Sequence, residues 1–274
     1  MKILITGGSS YLGRRLVPLA LLEHDIVYTW FQHDPLGLAQ GRRLDVRDDT
    51  AVTQLVRTFQ PQVIIHLAGS NRGRDMENVI RRGTQNITVA ARAVNTRLIH
   101  LSTDSIFRGD AAPYDETAVP TPVNPYGQAK ADAETIVQNW PNHIIIRTSL
   151  IYSLEEMDHG TAWMAAALQA GQPVTLFNNQ IRNPVWASSL AQACLELAAS
   201  DFTGILNVAG RQVLSRADFA LKMLDWWGIN QRDTLHIGPS TGNQWPLNCE
   251  LDLSLATAVL QTPLPGVDEV INVQ

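Results

Sequence analysis

Cysteine is nearly absent from this chain: Cys194 and Cys249 are the only two in 274 residues. Two cysteines cannot build a disulfide framework, and they point to a reducing compartment with free buried thiols. A basic surplus is missing as well. Lys plus Arg number 21 against 26 Asp plus Glu, a net charge of −5, which is the wrong balance for a polyanion binder and argues against nucleic acid as a partner. Charged residues reach only 17%, below the usual value of about 25%. Hydrophobic residues at 45% nevertheless exclude disorder as the main state. Long apolar runs are lacking too. The run Ile3-Leu4-Ile5 before Thr6 is too short for a signal h-region, and no stretch approaches the ~18–20 residues that span a bilayer. A cytoplasmic protein without a membrane partner is expected. No His/Cys/Asp grouping has metal-ligand spacing, so no metal is expected.

What is present is a regular alternation. Short apolar runs at 3–6, 26–30, 63–68, 98–103 and 144–148 predict strands, and amphipathic stretches at 11–23, 51–59, 78–94 and 126–139 predict the helices between them. Near-continuous apolar strands separated by helices argue for a parallel sheet covered on both faces. After Leu150 the pattern becomes irregular, with helices near 161–170, 188–199, 216–227 and 253–260 and strands at 174–177 and 205–209. The expected architecture is α/β. A doubly wound parallel sheet fills 1–150 and is rejoined by 183–209; a small discontinuous cap is made from 151–182 and 210–274. Five of the seven tryptophans (Trp163, Trp186, Trp226, Trp227 and Trp245) fall in or beside that cap. Most are expected to pack its thin core, and one or two to line a binding site.

The first strand runs into Gly7-Gly8-Ser9-Ser10-Tyr11-Leu12-Gly13 and then a helix. Such a turn exposes backbone N–H groups at a helix N-terminus, where the dipole also favours a pyrophosphate. Gly7 suits the tight turn and Gly13 the close packing of helix on strand. Ser10 stands where a middle glycine is usual, small enough to be tolerated and able to donate to phosphate. Gly7, Ser9, Ser10, Tyr11, Leu12, Gly13 and Arg14 are therefore candidate cofactor contacts. An acidic residue at the end of the second strand would hold a ribose 2′-hydroxyl. That place reads Trp30-Phe31-Gln32, with Asp34 further on, while Arg14, Arg42 and Arg43 could meet a 2′-phosphate. NADP is the expected cofactor, with NAD the alternative. Asp45, in Leu44-Asp45-Val46, is placed either to accept from an adenine amino group or to cap a helix.

Tyr126 and Lys130 stand four apart at the start of a helix, so both share one face. A phenol titrates near pH 10, and an ammonium one turn away stabilises its anion. The strand-end Ser102-Thr103-Asp104 offers a hydroxyl at Thr103 to hold a carbonyl beside the tyrosine. Taken with these, the segments Thr6–Gly13, Leu44–Val46, His66-Leu67-Ala68-Gly69, Gly83–Asn86, Leu101–Phe107, Asn124–Lys130 and Arg147–Tyr152 resemble the extended short-chain dehydrogenase/reductase family. Within it, Ser102–Phe107 followed by Gly109, Asn179-Gln180 with Pro184, and Leu251–Ser254 are similar to a group of keto-sugar reductases.

The resemblance implies a Rossmann-type fold and hydride transfer between a nicotinamide and a keto nucleotide sugar. Thr103 would polarise the carbonyl and Tyr126 deliver the proton. Lys130 would tune the tyrosine and hold the nicotinamide ribose. Val46, Leu67, Ala68 and Gly69 would line the cofactor, and Asp104 and Arg182 the substrate, with Arg182 either on the diphosphate or solvated on the surface. Ser105 in place of the family's dehydratase Glu disfavours removal of water. Ile80 replaces an asparagine that holds a relay water, with Asn78 nearby, and Leu150 replaces a tryptophan on the sugar side. Arg72, Arg74, Arg81 and Arg82 are expected to be a solvated face rather than a phosphate patch. An epimerase, and a non-catalytic NADP-binding regulatory subunit, are the alternative functions; a homodimer is possible.

Overall fold

A computed structural model describes residues 1–69, 73, 75–242 and 244–273, so Arg72 and Arg74 lie outside the described residues. The first half of the chain alternates strand and helix: β1 (Lys2–Thr6), α1 (Gly13–Leu21), β2 (Asp25–Trp30), β3 (Gly41–Arg43), α2 (Asp49–Phe59), β4 (Val63–His66), α3 (Met76–Ala93), β5 (Arg97–Leu101), α4 (Pro125–Gln138) and β6 (His143–Arg147). A one-turn 3₁₀ segment, Asp104–Ile106, follows β5. Next come β7 (Ile151–Tyr152), α5 (His159–Gln169), β8 (Val174–Phe177), β9 (Ile181–Arg182) and β10 (Val185–Trp186). The chain then returns through α6 (Ala187–Ala199) and β11 (Gly204–Asn207), and ends in β12 (Leu214–Ser215), α7 (Arg216–Trp226), β13 (Leu235–Gly238), α8 (Ser254–Val259) and α9 (Val267–Val273).

Seven strands form one sheet in the order β11-β6-β5-β4-β1-β2-β3, all paired in parallel. The order reverses between β1 and β4, the switch point at which ligands bind doubly wound sheets. Strand alternation divides the core. Ile3, Ile5, Ile65, Ile99, Ile144 and Ile146 face one side, under Leu16 and Val17 of α1 and Leu190, Ala191, Cys194 and Leu197 of α6. Leu4, Ile64, Leu98 and Ile145 face the other, under Val52, Val56, Ile87, Ala90 and Val137 of α2, α3 and α4. Burying both faces of every central strand is what requires those strands to be apolar throughout. Among the described residues no helix is long and apolar enough to cross a membrane.

Beyond β6 the smaller strands pair among themselves: β7 with β10, β8 with β13, and β9 with β12. Their apolar contacts make two thin clusters. One joins Ala165 and Leu168 of α5 to Val174 and Leu176 of β8 and Leu224 of α7; the other joins Tyr152, Phe219, Met223 and Val267. Trp186, Trp226 and Trp227 pack against these clusters. Trp163 and Trp245 stay exposed, at 61% and 42%. Both cysteines are free and buried.

Candidate functional site

The loop after β1 is held from beneath. Gly7 has φ +74°, and a Cβ there would lie 2.7 Å from the Ala68 backbone nitrogen, so only glycine lets the β1 and β4 ends meet. The Gly7 and Gly8 N–H groups donate to Thr29, and the Gly13 N–H donates to Ser10 Oγ at 3.1 Å. Ser10 Oγ thus takes up the first N–H of α1, and among the described residues its own O–H has no acceptor. Among the described residues, the N–H groups of Ser9, Tyr11 and Leu12 find no protein acceptor. A glycine turn with unspent donors at a helix start is the donor set a pyrophosphate requires. Leu67 and Ala68, with Gly69 next to them, continue β4 beside this loop, and Leu67 N–H bonds the Thr6 carbonyl.

Two expected cofactor contacts are engaged elsewhere. Tyr11 donates to the Glu156 carbonyl at 2.7 Å, and Arg14 pairs with the Glu156 carboxylate, its Nε 3.3 Å from Oε2. Arg15 adds a third tie, to Glu155 and Ser153. Asp45 is clasped by Arg47, whose Nε lies 2.9 Å from Oδ1, and the pair lowers the Asp45 pKa. Asp45 therefore neither caps α2, a role taken by Asp48, nor presents a free carboxylate. Val46 packs against Gly83 and accepts from Asn86. At the end of β2 the exposed ring of Phe31 lies 5.9 Å from the Arg43 guanidinium and 5.7 Å from that of Arg47. Asp34, the nearest acid in sequence, is instead bonded by the Tyr28 hydroxyl. Arg42 is turned onto the carbonyls of Ala39 and Gly41.

Thr103 and Tyr126 are brought together by a close backbone contact. Asn124 caps α4 by accepting from the Gly127 N–H at 2.8 Å, and a Cβ on Gly127 would lie 2.2 Å from the Ser105 carbonyl oxygen. That approach docks the first turn of α4 on the 3₁₀ turn, which Thr103 caps through Ser105 N–H. Burial pushes the Tyr126 phenol up to about 12, and the Thr103 hydroxyl only partly offsets this. The expected depression of that phenol by Lys130 is not found. The Lys130 ammonium points down to the Leu101 carbonyl, at 2.5 Å, and His100 Nε2, at 3.3 Å. Burial lowers its own pKa to about 8. Ile80, where a relay asparagine is usual, packs with Ala129, Ala133 and Tyr126; Asn78 bonds Asp75 instead of filling that role.

Arg182 requires a correction. It is neither solvated nor at an open cleft: it is 3% exposed, with Nη1 2.6 Å from both the Ile181 and Leu247 carbonyls and Nη2 2.9 Å from that of Pro246. Its Nε lies 3.4 Å from Asp104. Three of its five N–H groups are thus spent on backbone carbonyls, and Asp104 balances its charge. Asp104 is equally enclosed, accepting from Ser149 at 2.6 Å. The pair ties the end of β5 to the 246–248 segment.

Arg216, the first residue of α7, carries no signal in the sequence that singles it out beyond its place after the Ser215 cap. It is half-buried, donates to Gln180 Oε1 at 3.3 Å, and has no carboxylate partner among the described residues. Burial and the neighbouring Arg182 charge lower its pKa, with the Asp104 and Asp158 carboxylates opposing. Arg81, from the expected solvated face, pairs with Glu77 and Asp132.

A parallel sheet of this order, with a glycine turn at its switch point and a Thr, Tyr and Lys set at the same edge, defines the extended short-chain dehydrogenase/reductase architecture. The chain belongs to the RmlD substrate binding domain family, whose model matches residues 1–269. It is similar to methionine adenosyltransferase 2 subunit beta of Danio rerio, 25% identical across 96% of this chain and 87% of that protein. A hypothetical dTDP-4-dehydrorhamnose reductase from Sulfolobus tokodaii superposes with a TM-score of 0.84 and 28% identity, covering 98% of both chains. The dTDP-4-dehydrorhamnose reductase of Bacillus anthracis, solved in complex with NADP, superposes with a TM-score of 0.82 at 22% identity, over 98% of this chain and 95% of that one.

Proposed function

We propose that this chain is an NADPH-dependent reductase of a keto nucleotide sugar. The observation that carries this is the meeting of Thr103 and Tyr126 at the sheet edge that also carries the glycine turn, with Lys130 one helical turn on. A phenol held near pKa 12 is fully protonated at neutral pH, which is the state a proton donor needs. NADPH held by the glycine turn would supply hydride to the carbonyl carbon. Tyr126 gives its proton to the carbonyl oxygen, which becomes the alcohol, while the Thr103 hydroxyl holds that oxygen in place. The phenolate that remains lies one turn from the Lys130 cation. Arg43, beside the Phe31 ring and without a carboxylate partner among the described residues, and the engagement of Asp34 support NADPH over NADH, since a 2′-phosphate needs positive charge there. NADP in the Bacillus anthracis relative agrees with this.

Arg216 is the residue we assign to the sugar diphosphate, in place of Arg182. Arg216→Met is expected to raise KM for the nucleotide sugar about 10- to 150-fold, as loss of one charge-assisted contact of about 1.5–3 kcal/mol implies, with kcat changed by less than about twofold. Steady-state kinetics read both; an unchanged KM removes Arg216 from the site.

The function itself is tested by mixing the protein with NADPH and a panel of dTDP- and UDP-4-keto sugars, following the near-ultraviolet absorbance of the reduced nicotinamide. Net oxidation with at least one sugar is expected. A second function is favoured by one similarity: the Danio rerio relative is named as a subunit of another enzyme. Tight NADPH binding with no turnover of any keto sugar, and co-purification of a heterologous enzyme, would establish that role instead. An epimerase would interconvert sugars with no net consumption of NADPH.

A further inference from the structure

Beneath the Thr103, Tyr126 and Lys130 set lies a buried polar file that the proposed reaction does not use. His66 of β4 and His100 of β5 are register partners in the sheet, each 1% exposed, with ring centroids 5.3 Å apart. His66 is satisfied at both nitrogens: Nδ1 lies 2.6 Å from Thr6 Oγ1 and Nε2 3.3 Å from Thr84 Oγ1. His100 is different. Its Nε2 meets the Lys130 ammonium, and its Nδ1 has no partner among the described residues. An ammonium only donates, so Nε2 must be the acceptor and the ring proton must sit on Nδ1. His100 is thereby fixed as a neutral tautomer whose one lone pair is turned to Lys130.

We propose that His100 is the positioning residue for Lys130, holding its ammonium from the sheet at 3.3 Å. The arithmetic of donors supports this. Lys130 has three N–H groups; the Leu101 carbonyl takes one and His100 another, which leaves one for a ribose hydroxyl. Without His100 the second donor has no acceptor in an apolar surrounding, and the charged form of the lysine is disfavoured. The groups facing Lys130 from the packed elements are few. His66 and His100 lie on the sheet, both held neutral by burial and by the lysine charge. Glu134 and Tyr126 lie on α4, with Glu134 engaged by Arg147 of β6. Glu134 is the only carboxylate among these, and its charge favours the lysine cation.

The effect on turnover rests on the reductase function proposed above; the effect on Lys130 itself does not. The chain has three lysines, Lys2, Lys130 and Lys222, so an NMR titration of full-length protein carrying ¹³C at the lysine ε-carbons gives three signals. Loss of one in Lys130→Met assigns the site. In His100→Leu the Lys130 midpoint is expected to fall by about one pH unit, the size of a lost hydrogen bond to a buried charge. Gln and Asn separate position from polarity: Gln places its amide oxygen near Nε2, Asn near Nδ1. His100→Gln is therefore expected to restore the midpoint and His100→Asn not to, and this pair carries the test if the Leu variant fails to fold. With a keto-sugar substrate, the alkaline limb of kcat moves down by the same amount in His100→Leu, and KM for the sugar stays put. A Lys130 midpoint that is the same in the parent, Gln and Asn proteins overturns the proposal, whether or not any sugar is reduced. A chain without reductase activity but with the expected shift keeps His100 in this role and overturns only the function.

Discussion

Tyr126→Phe is expected to bind NADPH as tightly as the parent protein and to turn over a keto nucleotide sugar about 10²–10⁴-fold more slowly, the range for loss of a positioned general acid. The substitution removes one hydroxyl from a half-buried ring. The ring's packing beside Ile80 and Ala133 is retained, so the loss falls on kcat with little change in KM, the pattern of an interaction made in the transition state. Nicotinamide fluorescence measures the binding and absorbance the turnover. Equal turnover by the two proteins would remove Tyr126 from the chemistry and leave the proton donor unassigned.

The second large effect concerns stability. Arg147 and Glu134 form an ion pair 2–3% exposed at the side chains, with Nη2 2.9 Å from Oε2. The same guanidinium donates to the Glu116 and Ala118 carbonyls and lies 5.2 Å from the Phe107 ring; the same carboxylate accepts from Ser102. Glu134→Ala leaves a guanidinium charge buried without its counterion, at a cost of about 3–5 kcal/mol. That is a large part of the 5–15 kcal/mol typical of a folded domain, and urea unfolding reads it as a lower midpoint. Glu134→Leu with Arg147→Met is expected to recover most of the loss, because an apolar pair removes the desolvation penalty on both sides. A single variant within about 1 kcal/mol of the parent would mean that water reaches the pair.

The main sheet was legible because its strands are apolar on both faces, and α1 to α4 because their stripes keep helical spacing. β3 was not, since Gly41-Arg42-Arg43 has no apolar signal and becomes a strand only by pairing with Tyr28–Trp30. β13 was hidden for a related reason: His236 and Ile237 are exposed, and the segment is ordered by β8. In the site, Tyr126 and Lys130 were readable from helix periodicity. The fate of Arg182 was not, because an arginine's burial depends on which carbonyls the distant segment 246–248 brings to it. Arg14 was likewise taken by a residue 142 positions away. His100 could have been found. Counting by two from Leu98 places it on the α3 and α4 face of the sheet, where a polar side chain must meet a partner.

The return of the chain to the sheet after β10 also bears on how the molecule is made. α6 covers the face of Ile3, Ile5, Ile65, Ile99 and Ile144 beside α1, yet it is synthesised after the segment that carries β7 to β10. A ribosome that has reached Leu150 therefore displays six strands with half of one apolar face bare. Closure of the nucleotide-binding half must await residues that emerge later. The first 150 residues, which hold the glycine turn, Thr103, Tyr126 and Lys130, therefore leave that apolar face uncovered until α6 has been made.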